Sequence, residues 1–246
     1  EDDCSWIMWM ANTSDLTRAR IITKFQERLC YDPPSAYFSP DGRKMAYILP
    51  GKDVDESALG IMDIDGSNGK LLDSPVMGWG TETTMFWSPD SQWIVYRRPV
   101  QPAKEDSDEQ EIWLIHPTTM EKRLVATMPY GWLVGWSQDS STLYYNTGNQ
   151  LWILDANGKK APGTLTQFDI SASNVRLSPD SQKIFYITQS AHPSKTLALE
   201  TMNLKNREKH LLVENIEPRN LSFKNYQLNP IWSSDSEQVL YNAMVD

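Results

Sequence analysis

Five times the chain writes nearly one phrase: AYFSPDGRKMAYI from Ala36, MFWSPDSQWIVYR from Met85, VGWSQDSSTLYYN from Val134, VRLSPDSQKIFYI from Val175 and PIWSSDSEQVLYN from Pro230. The serines at its centre are Ser39, Ser88, Ser137, Ser178 and Ser233, spaced by 49, 49, 41 and 55 residues. A period of roughly 40 to 50 residues is that of one four-stranded β-propeller blade. In each phrase apolar residues flank a Ser-Pro-Asp-Gly or Ser-x-Asp-Ser segment, which reads as two strands around a tight turn. Pro40, Pro89 and Pro179 preset φ, and Asp41, Asp90, Asp139, Asp180 and Asp235 can accept backbone N–H bonds. A residue that recurs once per blade serves the blade, so these five aspartates are assigned to turn architecture rather than to catalysis or metal binding.

Second strands follow at Lys44 to Ile48, Trp93 to Tyr96, Leu143 to Tyr145, Ile184 to Ile187 and Val239 to Tyr241. Third strands are expected at Leu59 to Ile64, Glu111 to Ile115, Gln150 to Leu154 and Leu197 to Leu204, with fourth strands near Lys70, Arg123, Gly163 and His210. Asp65-Gly66 and Asn157-Gly158 mark two of the hairpins between them. The C-terminal phrase has two strands only, whereas the stretch from Cys4 resembles the third and fourth strands from Glu111. The two ends would complete one another and remove the exposed edges. The expected architecture is all-β, a five-bladed propeller in a single domain over 1–246. Its blades run approximately 31–75, 76–128, 129–168 and 169–216, plus a composite of 217–246 and 4–26; a six-bladed ring is the alternative.

Ten Trp, ten Tyr and six Phe fall mainly in the strands, where rings pack between stacked sheets. Met45, Met62 and Met85 read as gap fillers between blades, as do Met8 and Met10. A formal charge of −9 repels phosphate backbones and anionic lipid surfaces, which argues against nucleic acid as a partner. No apolar run approaches the roughly 20 residues of a membrane helix, and no signal peptide is recognised at Glu1. The only cysteines, Cys4 and Cys30, flank the N-terminal half-blade. A disulfide between them would close a loop of about 26 residues, contribute about 3 kcal/mol and imply an oxidising compartment. Two unrelated buried thiols are the alternative.

The FSPDGRKMAYI, FWSPDSQWIVY and LSPDSQKIFYI phrases resemble the propeller repeats of the TolB family, also found in prolyl oligopeptidases. The resemblance covers nearly the whole chain and implies a propeller in a periplasmic or otherwise exported protein. Members of the family are six-bladed and carry an N-terminal α/β domain. This sequence departs on both counts, so the contacts of TolB with lipoprotein and colicin are not transferred. The oligopeptidase likeness would place Ser, Asp and His in a separate hydrolase domain. This sequence contains no Gly-x-Ser-x-Gly elbow, and His116, His192 and His210 sit at strand ends or loops without a nucleophile motif. Zinc and phosphate-loop signatures are missing as well, so no cofactor or metal is expected.

Two acidic segments look like sites and have simpler readings. Asp63 to Asn68 resembles a calcium loop, but its glycine comes too early and its distal glutamate is missing, so a hairpin turn is expected. Lys104 to Glu111 is a charge run suited to an exposed loop. A glycosidase of the five-bladed type would need paired carboxylates on or beside the innermost strands. Those strands read SAYFS, TMFWS, LVGWS, NVRLS and NPIWS, without an acid, and Glu82 is the nearest carboxylate.

The connections between blades carry the candidate binding residues: Trp79 and Glu82 in 77–82, Tyr130 and Trp132 in 129–132, Phe168 in 167–169, and Phe223 and Tyr226 in 215–229. Rigid rings flanked by glycine and polar groups bury much area at little entropic cost. The expected function is a non-catalytic, exported recognition or scaffold module. It would bind a protein or peptide through its loop-rich face, alone or inside a larger envelope assembly, with an acidic rim favouring a basic partner. The alternatives are a glycan-binding propeller or a funnel-type glycoside hydrolase.

Overall fold

Each phrase of the repeat folds as an antiparallel strand pair, and four of the five phrases extend into a four-stranded sheet. The computed structural model of the chain describes residues 4–12, 15–27, 35–49, 57–77, 85–100, 108–168, 172–189, 196–216 and 230–241. All of its regular structure is β. The chain divides into two compact units, Glu1–Tyr130 and Gly131–Asp246.

The first unit opens with a hairpin of β1 (Cys4–Asn12) and β2 (Asp15–Glu27). Cys30 and the side chain of Cys4 lie outside the described residues. Two blades follow, each with its strands hydrogen-bonded in chain order. The first blade comprises β3 (Ser35–Phe38), β4 (Lys44–Leu49), β5 (Ser57–Asp63) and β6 (Lys70–Val76). The second comprises β7 (Met85–Trp87), β8 (Ile94–Pro99), β9 (Glu109–Ile115) and β10 (Lys122–Pro129). Sheet packs on sheet: Ile48, Leu59, Ile61, Leu72 and Val76 meet Met85, Trp87, Ile94, Tyr96 and Ile115 in one buried cluster. Met45 and Met62 are also buried, and both pack with Tyr47.

The second unit repeats the plan. Its blades are β11 (Trp132–Trp136) to β14 (Gly163–Gln167), with β12 (Thr142–Asn146) and β13 (Gln150–Asp155) between, and β15 (Ala172–Leu177) to β18 (Lys209–Ile216), with β16 (Lys183–Gln189) and β17 (Leu197–Asn203) between. A last hairpin pairs β19 (Ile231–Trp232) with β20 (Val239–Leu240). One core joins Val134, Leu151 and Phe168 to Val175, Ile184, Tyr186 and Met202. A second joins Phe185, Ile187 and Leu199 to Trp232, Val239 and Tyr241.

One irregularity recurs in every fourth strand. The ladder slips by one residue at Leu72 in β6, Val125 in β10, Leu165 in β14 and Leu212 in β18. Such a bulge places two residues opposite one and adds local twist. Leu72 and Val125 are thereby buried, and Leu165 packs against the core.

Candidate functional site

In each Ser-x-Asp turn the serine hydroxyl donates to the aspartate carboxylate, at 2.6 Å for Ser39–Asp41 and Ser137–Asp139 and 2.5 Å for Ser88–Asp90, Ser178–Asp180 and Ser233–Asp235. The same carboxylate oxygen accepts the N–H two residues further on, from Arg43, Gln92, Ser141, Gln182 and Glu237 respectively. The serine oxygen in turn accepts the N–H five residues along, from Lys44 to Gln238. Serine and aspartate thus take up the N–H groups that the turn's own backbone bonds, such as Gly42 N–H to the Ser39 carbonyl and Ser39 N–H to the Lys44 carbonyl, leave over. The Ser39 hydroxyl and the Arg43 N–H hold the Asp41 carboxyl below its usual range, and serine hydroxyls do the same at Asp139 and Asp235. At Asp180 partial burial pushes upward, but the Ser178 hydroxyl and the Gln182 N–H prevail and the net shift is down. One carboxylate oxygen of each aspartate is engaged in its turn.

The residue after each aspartate stands in the left-handed region: Gly42 at φ 69°, Ser91 at 61°, Ser140 at 60°, Ser181 at 57° and Ser236 at 64°. Glycine suits that conformation and serine does not, yet three of these serines also fasten one blade to the preceding one. Ser91 Oγ accepts the Asp41 N–H at 3.0 Å, and Ser236 Oγ accepts the Asp180 N–H at 3.0 Å. Ser181 Oγ donates to the Trp136 carbonyl at 3.0 Å. Tryptophan repeats the same device: Trp87 Nε1 donates to the Tyr37 carbonyl at 3.0 Å, and Trp232 Nε1 donates to the Arg176 carbonyl at 3.3 Å. The turns that read as local in the sequence are also joints between blades.

Polar groups inside the sheets are partnered by more than one scheme. In the first unit the Asp73 carboxylate, 8% exposed, receives Tyr96 Oη at 2.6 Å, Lys122 Nζ at 2.6 Å and Arg98 Nη1 at 3.3 Å. Burial and the adjacent Asp73 carboxylate push the Tyr96 hydroxyl far above its ordinary value, so it stays a donor. Arg98 also lies over the Trp113 ring at 5.6 Å. In the second unit the equivalent Tyr186 hydroxyl donates to Glu200 at 3.0 Å on its own blade, beside Thr188 Oγ1 at 3.1 Å. The segment that resembles a calcium loop is the hairpin turn expected of it: Asp63 takes the Lys44 ammonium at 2.6 Å and the Asn68 amide at 2.6 Å. Among the described residues no three His, Cys, Asp or Glu side chains are placed to hold a metal, and no helix is long and apolar enough to cross a membrane. His116 is half-buried, its Nδ1 accepting the N–H groups of Thr118 and Thr119. His210 is exposed, and His192 lies outside the described residues.

Of the residues expected to bind a partner, Trp79, Glu82, Phe223 and Tyr226 lie outside the described residues. Tyr130, at the end of the first unit, is 46% exposed. Trp132, at the start of β11 in the second, is 36% exposed. Gly131 makes this presentation possible, since a Cβ there would collide with the Asn146 carbonyl and the Tyr145 ring. Asn146, buried, donates to the Ala172 carbonyl at 3.1 Å and accepts the Gly148 N–H at 3.1 Å, which stiffens the support beneath.

Phe168 is a correction. It is 3% exposed, its ring 4.7 Å from the Tyr186 ring and tilted to it by 48° inside the core, so it is not presented at the surface. Its N–H bonds the Asn149 carbonyl at 2.8 Å, folding the connection back so that the ring enters the gap between blades. Its place in a polar connection suggested exposure; only the partner carbonyl, 19 residues upstream, shows otherwise.

Across known structures, this chain resembles TolB from Acinetobacter baumannii with a TM-score of 0.61 and 16% identity, over 97% of this chain and 54% of that one. It resembles an oligogalacturonate lyase from Vibrio parahaemolyticus with a TM-score of 0.63 and 11% identity, over 93% and 69% of the two chains. The β-propeller domain of the Trilobed protease from Pyrococcus furiosus matches with a TM-score of 0.55 and 17% identity, over 82% and 61%. The chain spans about half the length of the TolB structure. No protein-family model and no curated protein matches the sequence. At these identities the likeness establishes the fold, a TolB-like β-propeller.

Proposed function

We propose that the protein is a non-catalytic, exported recognition module whose propeller holds exposed aromatic side chains for a protein or peptide partner. Trp132 carries this reading: a ring 36% exposed at the start of β11, on a backbone fixed by Gly131 and by the buried Asn146. A platform already ordered loses little conformational entropy on association, and tryptophan is among the residues that dominate binding energy when a partner covers them. The engagement of each turn aspartate by the serine two residues before it supports a structural role for these acids. The likeness to TolB, on repeats and fold, supports export and protein partners.

A glycan ligand is the second reading, favoured by the likeness to an oligogalacturonate lyase. It would use the same exposed ring as a stacking surface. The test is retention: immobilised protein is offered an extract of the native cell envelope and, separately, a glycan array. A protein retained by wild type and lost with Trp132→Ala, at unchanged thermal midpoint, supports the first reading. Array binding with release of shortened sugars replaces it with the second.

A further inference from the structure

The turns that join third to fourth strands begin at Asp63, His116, Asp155 and Asn203, each with a side chain able to accept hydrogen bonds. Two of these turns, 116–121 and 203–208, have one structure built with different chemistry. In the first, the His116 N–H donates to the Glu121 carbonyl and the Met120 N–H to the His116 carbonyl, both at 2.9 Å. In the second, the Asn203 N–H donates to the Glu208 carbonyl and the Arg207 N–H to the Asn203 carbonyl, again at 2.9 Å. The fifth residue is left-handed in both, Met120 at φ 63° and Arg207 at φ 60°. The second residue, Pro117 or Leu204, is buried.

Each turn leaves the N–H groups of its third and fourth residues to the side chain of its first. Asn203 Oδ1 accepts the Lys205 N–H at 2.9 Å and the Asn206 N–H at 3.2 Å. His116 Nδ1 accepts the Thr118 N–H at 3.3 Å and the Thr119 N–H at 3.2 Å. An amide oxygen keeps its lone pairs as the pH changes, whereas a ring nitrogen accepts only while it carries no proton. Carboxylates ordinarily change charge near about pH 4, and imidazole is the side chain that ordinarily does so between about pH 5 and 8. Of the four turns, the one begun by His116 is therefore the one whose acceptor can be removed by mild acid.

The surroundings sharpen the effect. The His116 ring meets the Trp93 ring at 5.4 Å, nearly perpendicular, and the Arg123 guanidinium lies over the same indole at 4.6 Å. A charged imidazole would be a second cation at one aromatic ring. The charged groups of the two elements packed there are Glu121, Lys122 and Arg123 on the hairpin and Asp90 in the turn that ends at Trp93. Glu121 pairs with Arg123 at 3.2 Å, Lys122 with Asp73 at 2.6 Å, and Asp90 accepts the Ser88 hydroxyl at 2.5 Å, so both local carboxylates are already engaged. Trp93 in turn closes the Ser88 turn through its N–H, and Ser91 in that turn holds the Asp41 N–H of the preceding blade. The hairpin tip thus rests on a turn that serves as a blade joint.

We infer that His116 is a proton-operated latch: neutral, it closes the 116–121 turn through Nδ1; protonated, it releases the Thr118 and Thr119 N–H groups and loosens the tip of the β9–β10 hairpin beside Trp93. The step is the gain of one solvent proton at Nδ1 and the loss of the two hydrogen bonds accepted there. The backbone bonds of the turn remain, so the change is local and is read at these amides rather than in the melting of the whole chain. The latch stands apart from the recognition reading and does not depend on it.

The test is NMR on the full chain from about pH 8 to about pH 5, following the His116 ring nitrogens and the exchange of backbone amides, corrected for the pH dependence of free-chain exchange. As the His116 ring gains its proton, protection at Thr118 and Thr119 should fall about fivefold, the factor a typical hydrogen bond represents. Lys205 and Asn206 are the control: His210 lies 3.6 Å from Glu208 in their turn, but their N–H groups bond an amide oxygen, and their protection should stay constant. His116→Asn installs the acceptor of the second turn and should keep Thr118 and Thr119 protected across the whole range. Protection that is unchanged as the ring protonates, that falls equally at Lys205 and Asn206, or that still falls in His116→Asn would overturn the inference. If the Asn variant does not fold, the two turns of the wild-type chain decide alone: a loss confined to Thr118 and Thr119 supports the latch, and no loss or a shared loss refutes it.

Discussion

The joint between the two blades of the first unit and the joint between the first two blades of the second solve one problem with different chemistry. Both bury a tyrosine at the same place in the repeat, Tyr96 and Tyr186, and a buried hydroxyl must have a partner. In the first unit the partner is Asp73 from the preceding blade, and its charge is then answered by Lys122 and Arg98. In the second the partner is Glu200 on the same blade, and the joint itself is closed by neutral bonds, Asn146 to the Ala172 carbonyl and Ser181 to the Trp136 carbonyl. The repeat therefore dictates where a polar group must be satisfied and leaves open what satisfies it. One joint depends on charge balance and the other does not.

That contrast can be broken most forcefully at Asp73. Asp73→Ala leaves Arg98 and Lys122 without their carboxylate in a largely buried place, and should cost about 3 kcal/mol in urea denaturation. Glu200→Gln, which keeps an acceptor for Tyr186, should cost about 1 kcal/mol. Equal losses would remove the distinction between the joints. A smaller effect is expected at Trp87, whose indole joins the first unit's blades through the Tyr37 carbonyl. Trp87→Phe should cost about 1 kcal/mol and bring that joint closer to the joint of the second unit that has Leu177 at the matching position.

The sequence carried most of the architecture and little of the joints. The Ser-x-Asp phrase locates every turn because its residue types act on backbone groups two to five residues away, and chemistry at that range is legible in one dimension. Strands three and four were legible for the same reason, at hairpins such as Gly66 and Gly158 with φ 89° and 66°. What stays hidden is any partner a full blade away: Ser91 Oγ on the Asp41 N–H, Lys122 on Asp73, Phe168 against Tyr186. Ser91 and Gly42 look interchangeable as turn formers, and only the neighbouring blade distinguishes them. The candidate site divides likewise. Trp132 stands out from its glycine-flanked connection, whereas the burial of Phe168 is set by the Asn149 carbonyl 19 residues upstream.

Acid probes both units together. The carboxyls of Asp41, Asp139, Asp180 and Asp235 are depressed in the folded chain, so their contribution is present above the unfolded value of about 3.9 and is lost as pH falls through the folded values. Thermal midpoints should hold steady from neutrality to about pH 5 and decline below pH 4. A decline that begins near pH 6 would point to another group.

The mildest change is the most specific. Ser91→Gly loses the bond to the Asp41 N–H but relieves a left-handed serine, so the two effects nearly cancel in stability, to within about 0.5 kcal/mol. The joint is still altered, and amide hydrogen exchange reads it directly. In wild type the Asp41 N–H, in an exposed turn but bonded to the neighbouring blade, should be protected, and so should the Asp180 N–H through Ser236. Ser91→Gly should speed exchange at Asp41 by about tenfold, the factor that 1.4 kcal/mol represents, and leave Asp180 unchanged. If the turns fasten the blades, that pattern appears; if Asp41 exchanges in wild type as fast as an unbonded turn amide, the turns are only local and the rigid platform beneath the proposed recognition surface loses its basis.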